Sequence, residues 1–116
     1  MKIYKDLNND GLVIYNEEVE LGNDFKLLVP RSTDAAVEKH VPIVKEKEGT
    51  IEVIVGEVLH PMTEEHYISH IIIETNKGYY VRLLKPNDEP KTIFKLNDNE
   101  KVVNVYAYCN LHGLWR

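Results

Sequence analysis

Val102-Val103-Asn104-Val105-Tyr106-Ala107-Tyr108-Cys109-Asn110-Leu111-His112-Gly113-Leu114-Trp115 decides both the fold and the place of the chemistry. From Val102 to Tyr108 the side chains alternate with the period of two that marks a strand with one buried face. That strand delivers Cys109, the only cysteine of the chain, to a turn. His112 follows three residues later, close enough in a turn for a thiolate and an imidazole to reach one metal ion. Gly113 permits the tight backbone such a turn needs.

Outward from this stretch the same pattern recurs. Thr92 to Leu96 is a further strand, with the Asn97-Asp98-Asn99 turn after it and the Pro86-to-Pro90 loop before it. Tyr67 to Thr75 is a β-branched run that pairs as a hairpin with Tyr79 to Leu84 across Asn76-Lys77-Gly78. Ile51, Val53 and Val55 alternate from Glu48 onward, and Gly56 marks a bulge or bend. Short strands with turns at regular spacing predict an all-β sandwich. Ser32 to Val37 can form one short helix, capped by Ser32 or Thr33 with Asp34 at its positive end. Pro42 stops it, so Glu38, Lys39 and His40 fall at the helix end or in the loop beyond. Residues 1–29 read as short strands and turns, with Leu12 to Tyr15 and Phe25 to Val29 as strand-like runs. The expected division is an N-terminal extension at 1–29 and a sandwich domain at 30–116.

The bulk properties exclude several classes. The chain has 116 residues, which is a single small domain or a domain with an appendage, and 43% of them are apolar, enough for a core. No apolar run is long enough to cross a bilayer, and Met1 is followed by charged and polar residues. One cysteine cannot form an intramolecular disulfide, so a reducing cytoplasm fits. A net charge of −5 argues against nucleic acid, which needs a basic face.

Three other histidines fall in two upstream motifs, Glu38-Lys39-His40-Val41-Pro42 and His60-Pro61-Met62-Thr63-Glu64-Glu65-His66. With Cys109 and His112 they form one candidate site. Four imidazoles and one thiolate are an unusual set for structural zinc, which is four-coordinate and usually takes several cysteines. Imidazole suits iron, and a thiolate on iron donates electron density strongly. Blander readings hold elsewhere. His70 lies inside a strand and reads as a packed side chain. Met62 and Trp115 read as packing against the site. Glu46, Glu48 and Glu64 read as solvated charges. A lone cysteine is ordinarily a small buried hydrophobe, and only His112 and Gly113 lift Cys109 out of that class.

Taken in this order, the motifs resemble the superoxide reductases of the desulfoferrodoxin and neelaredoxin family. The resemblance runs from about Phe25 to the end. Thr33-Asp34-Ala35-Ala36, the Glu-Lys-His-Val-Pro run, the His-Pro-Met run with His66-Tyr67-Ile68, and Tyr108 to Trp115 carry it. It implies an immunoglobulin-like sandwich of seven strands with a short helical turn and a small N-terminal β extension. It assigns His40, His60, His66 and His112 as equatorial ligands of one mononuclear iron, with Cys109 axial and the sixth position open. Glu38 is expected to close that position in the ferric state, and Lys39 to draw in the anionic substrate. The implied activity is one-electron reduction of superoxide to hydrogen peroxide, as a defence against oxidative stress. A rubredoxin-like protein is the implied electron donor, and a homodimer or homotetramer the implied assembly. In part of the family a desulforedoxin-like module with four cysteines holds a second iron at the N-terminus. Here residues 1–29 contain no cysteine, so they read as a remnant or cap. Two other classes stay open, an iron electron-transfer protein with a closed coordination shell and a metal-binding sandwich without catalysis.

Overall fold

The computed structural model describes residues 1–32 and 37–116, apart from the side chains of Val37 and Glu38. Three antiparallel sheets account for the strands among them. The first is N-terminal, with β1 (Lys2–Asp6) between β2 (Leu12–Tyr15) and β3 (Phe25–Leu27). The second is four-stranded, in the order β10 (Gly113–Trp115), β9 (Val102–Cys109), β6 (Ile68–Thr75) and β7 (Gly78–Leu83). The third has β5 (Thr50–Val55) between β4 (Pro42–Lys47) and β8 (Lys91–Lys95). The second and third sheets supply the seven strands of the expected sandwich, and the first is the expected N-terminal β extension.

The core shows why these strands pair as they do. Ile51, Val53 and Val55 of β5, Phe94 of β8, Ile71 and Ile73 of β6, and Val105, Ala107 and Cys109 of β9 pack into one cluster. Each set is spaced by two, as one face of a strand must be. Ile72 breaks that alternation, because β6 is covered on both faces. Its outward side packs with Ile3, Tyr106, Tyr108 and Leu114 into a second cluster beneath the N-terminal sheet. A strand buried on both sides reads as an unbroken apolar run, which is what Ile71-Ile72-Ile73 is. Lys5 of β1 donates to the Tyr108 hydroxyl at 3.1 Å and fastens the N-terminal sheet to β9.

A register shift in β6 serves the site. Ile68 faces Cys109, whereas His70 faces Tyr108, so one extra residue is accommodated between them. The bulge lets Ile68 and Ile71 both face the core although they are three apart. It also ends the ladder where the chain turns back toward His66.

The expected helix over 32–37 falls mostly on residues 33–36, which lie outside the described residues. The described helical turn is α1 (Val37–His40). Of the two places expected for Lys39 and His40, the helix end is the one found, and His40 closes the turn two residues before Pro42 opens β4. Two strands were not separately expected. β4 is an edge strand whose last four residues are exposed, so its sequence shows no apolar period. β10 is three residues long, too short for a period, and follows directly on the turn that carries His112. Among the described residues no helix is long and apolar enough to cross a membrane.

Candidate metal centre

Three segments converge at one end of the sandwich. α1 brings His40, the 56–67 loop brings His60 and His66, and the β9–β10 turn brings Cys109 and His112. Gly113, at φ +86°, makes the last turn tight enough to return β10 beside β9. Asn110 laces two of these segments together. Its side-chain oxygen accepts the Tyr67 N–H at 2.9 Å, its side-chain nitrogen donates to the Glu65 carbonyl at 3.0 Å, and its own N–H donates to the Tyr67 carbonyl at 3.2 Å. Thr63 and His66 close a small turn reciprocally, backbone to backbone and through the Thr63 hydroxyl. The His66 and Cys109 loops are thus held in one register.

The donor atoms meet. One ligand atom from each of His40, His66, Cys109 and His112 lies within 4.8 Å of the others. His40 Nε2 stands 3.0 Å from His112 Nδ1, and Cys109 Sγ stands 3.9 Å from the same Nδ1. His60 falls outside that tight group of four but borders it, with its ring 4.6 Å from His66 and 4.9 Å from His40, edge to face. Its Nδ1 lies 2.7 Å from the Pro61 carbonyl, which can only accept, so the ring proton sits on Nδ1 and Nε2 carries the lone pair. His60 Nε2 and His66 Nε2 are buried with no hydrogen-bond partner. Buried ring nitrogens without partners are costly, and a shared cation would satisfy both.

Electrostatics agree with a ligand cluster. Burial pushes His60 down to about 4, and His40, His66 and His112 push the same way against the Pro61 carbonyl. Burial also lowers His66, with the charges of His112, His40 and Lys39 adding to it. Neutral imidazole is the form that binds metal. Burial raises the Cys109 thiol, opposed by the backbone N–H groups of His112 and Leu111. The donor set fits a single iron: imidazoles that favour it, a thiolate that donates strongly, and a sulfur enclosed in the apolar core away from other nucleophiles.

The centre is closed on one side and open on another. Cys109, His40 and His60 are buried, whereas His112 is exposed and His66 half-buried. Lys39 is exposed beside His40 in sequence, and its charge is felt at His66. The side chain of Glu38 lies outside the described residues. His70 stands apart as expected, bonded to the Ser69 hydroxyl and edge-on to Tyr108. Met62 packs against the core. Trp115 does more than fill space, for its ring stacks on His40 at 4.4 Å and 14°. The clamp at Asn110 had no sequence signal of its own, beyond its place between Cys109 and His112.

A β-sandwich with a histidine–cysteine metal centre at one end defines the class of protein. The Desulfoferrodoxin family model matches residues 32–116, which include every candidate ligand. The chain therefore belongs to the desulfoferrodoxin family. A desulfoferrodoxin homolog of Archaeoglobus fulgidus is 41% identical over 82% of this chain and 74% of its own. A superoxide reductase of Thermococcus kodakarensis is 36% identical over 73% of this chain and 89% of its own. Among solved structures, the superoxide reductase of Treponema pallidum superposes with a TM-score of 0.78 at 33% identity, covering 97% of this chain and 96% of that one. A coverage that high includes the N-terminal sheet. A one-iron superoxide reductase of Giardia intestinalis superposes with a TM-score of 0.56 at 36% identity, over 67% of this chain and 93% of that one.

Proposed function

We propose that the chain is a superoxide reductase, which converts superoxide to hydrogen peroxide with one electron and two protons. The observation that carries this reading is the convergence of His40, His66, Cys109 and His112 donor atoms within 4.8 Å, with the unpartnered His60 Nε2 beside them. In the proposal, these five residues hold one iron. That iron, when bound, supplies the electron.

The chain's own residues do the rest. Lys39 presents an exposed ammonium at the open side, where it offsets the unfavourable field of a chain carrying −5 and draws in an anion. His112, exposed on the same centre, leaves that side reachable by a molecule as small as superoxide. The buried Cys109 sulfur is kept from the solvent and from oxidants on the protein side. Glu38, next to Lys39 and His40 in sequence, is proposed as the carboxylate that closes the open position once the centre is oxidised. An oxidised centre must be re-reduced by an outside one-electron donor, and a rubredoxin-like protein is the proposed class. Residues 1–29 are proposed as a cap derived from a metal-binding module, and residues 30–116 as the catalytic unit.

Iron analysis with pulse radiolysis tests the reading. One iron per chain and a fast second-order loss of superoxide by the ferrous protein are expected. A ferrous centre that leaves superoxide untouched would reduce the chain to an electron carrier.

A further inference from the structure

Trp115 joins the metal centre to an exposed arginine at the surface. Its ring is fully buried and stacks on His40 with nearly parallel planes. Over the same ring lies the guanidinium of Arg31, 5.9 Å from the centroid, on an exposed side chain. The backbone fixes the arrangement. Arg31 bridges to Trp115, its N–H donates to the Leu114 carbonyl at 2.9 Å, and its carbonyl accepts the Arg116 N–H at 2.8 Å. The Trp115 indole N–H is buried without a partner, so stacking rather than a hydrogen bond orients the ring.

We propose that the surface at Arg31 and Arg116 is where an acidic one-electron carrier protein docks, and that Trp115 conducts its electron to His40 and so to the metal centre. The proposal rests on the reductase reading, because only a centre that gives electrons away must be refilled. The transfer balances simply. The reduced carrier loses one electron, the ferric centre becomes ferrous, and no bond or proton changes hands. Electronic coupling falls steeply across gaps, and Trp115, in stacking contact with His40 and under the exposed Arg31 guanidinium, leaves no solvent gap between that surface and the candidate ligand. Charge supports the site. On a chain of −5, Arg31 and Arg116 are both exposed, adjacent through their backbones, and in no ion pair among the described residues. An acidic partner is steered to such a spot and repelled by most of the remaining surface.

Calorimetric titration of the iron-loaded chain with oxidised rubredoxin tests the docking without turnover. Arg31→Glu is expected to weaken binding by about ten-fold at low salt and to flatten its salt dependence, while Lys39→Glu leaves both nearly unchanged. Unaltered affinity in Arg31→Glu, or a larger loss in Lys39→Glu, would overturn the docking face. Stopped-flow reduction of the ferric chain by saturating reduced rubredoxin tests the route. Variants with full iron and an unshifted visible band are compared. Trp115→Leu should slow the transfer by about ten-fold or more and Trp115→Phe should restore most of it, whereas a leucine variant as fast as the parent sinks the route. Should Trp115→Leu fail to fold, Trp115→Met takes its place: a transfer about ten-fold slower than in Trp115→Phe is expected, and one as fast as the parent sinks the route. Superoxide consumption by the pre-reduced Arg31→Glu chain is measured separately. Its absence in the parent as well would defeat the reductase reading and leave the docking result standing.

Discussion

At the scale of single residues, burial lowers the proton affinity of two of the candidate ligands, His60 and His66. His60 shows the consequence for stability. Its pKa falls from the ordinary histidine value to about 4 in the metal-free fold, so between those limits the unfolded chain binds a proton that the folded chain refuses. Acid therefore destabilises the metal-free protein across that window, and His66 and His70, also lowered by burial, act in the same direction. Urea denaturation of the metal-free chain should show stability falling steadily from pH 7 to pH 5, and His60→Gln should lessen the slope. Cys109 carries a second expectation. As the only thiol, it is the only source of a thiolate-to-iron charge-transfer band, so the oxidised protein should be blue and Cys109→Ser should bleach it. Survival of the colour in that variant would remove Cys109 from the ligand set. Lys39 carries a third. A unit charge about 6 Å from an anion contributes roughly 0.7 kcal/mol in water and roughly 2.8 kcal/mol at an effective dielectric of about 20. Those bounds span about 3-fold to about 100-fold, so Lys39→Ala should slow the second-order reaction with superoxide by about ten-fold. Pulse radiolysis over a salt series measures it, and the variant should lose most of the parent's salt dependence.

At the scale of elements, the strands that face the core on one side were legible from their period, and those with another job were not. β5 and β9 announce themselves because Ile51, Val53, Val55 and Val105, Ala107, Cys109 alternate against one sheet face. β4 carries Lys45-Glu46-Lys47 on an exposed edge, so no apolar period reports it. The β6 bulge between Ile68 and His70 left no mark in the sequence that distinguishes it from an ordinary run of β-branched residues. The ligand motifs are legible because Pro and Gly, which strands disfavour, flank His40, His60 and His112. What no single-residue argument could give is the lacing between loops. Asn110 sits between Cys109 and His112 in sequence, yet its side-chain partners are Tyr67 and Glu65, more than forty residues away. It positions the His66 loop against the β9–β10 turn and touches no donor atom in any contact described above. Asn110→Ala removes two side-chain hydrogen bonds, which contribute about 1–3 kcal/mol together. The expected result is a folded chain with the same strand content and an iron affinity lowered by about 10- to 100-fold, the range for lost support behind a metal ligand. Competition with a chelator measures that loss, and an affinity equal to the parent's would make Asn110 an ordinary loop residue.

At the scale of the whole molecule, the open matter is what a cysteine-free N-terminal sheet contributes. It supplies none of the candidate ligands, and the family match begins at residue 32. Its contribution lies in burial. Ile3 sits in one cluster with Ile72, Tyr106, Tyr108 and Leu114, with Met1, Leu12, Ile14 and Leu28 packed around it. Tyr4 fastens the sheet internally, its hydroxyl bonded to both the N–H and the carbonyl of Val19. Lys5 reaches across to Tyr108, the residue before Cys109. Removing residues 1–29 would leave the outward face of β6, β9 and β10 bare, and each large apolar side chain returned to water costs about 1.5–3 kcal/mol. Ile72 and Leu114 alone bring the loss to about 3–6 kcal/mol, a large share of the stability of a small domain. A chain beginning at Pro30 should therefore melt well below the parent, bind a hydrophobic dye, and tend to associate through the exposed sheet. Its iron should nevertheless remain at one per chain at low temperature, because His40, His60, His66, Cys109 and His112 all lie outside the deleted segment. Calorimetry of the two chains gives the stability difference, and metal analysis of the same samples gives the occupancy. A truncated chain as stable as the parent would show that the second cluster adds nothing to folding. Loss of iron from a truncated chain that is still folded would show that the N-terminal sheet shapes the centre itself, through Lys5 and Tyr108 rather than through burial.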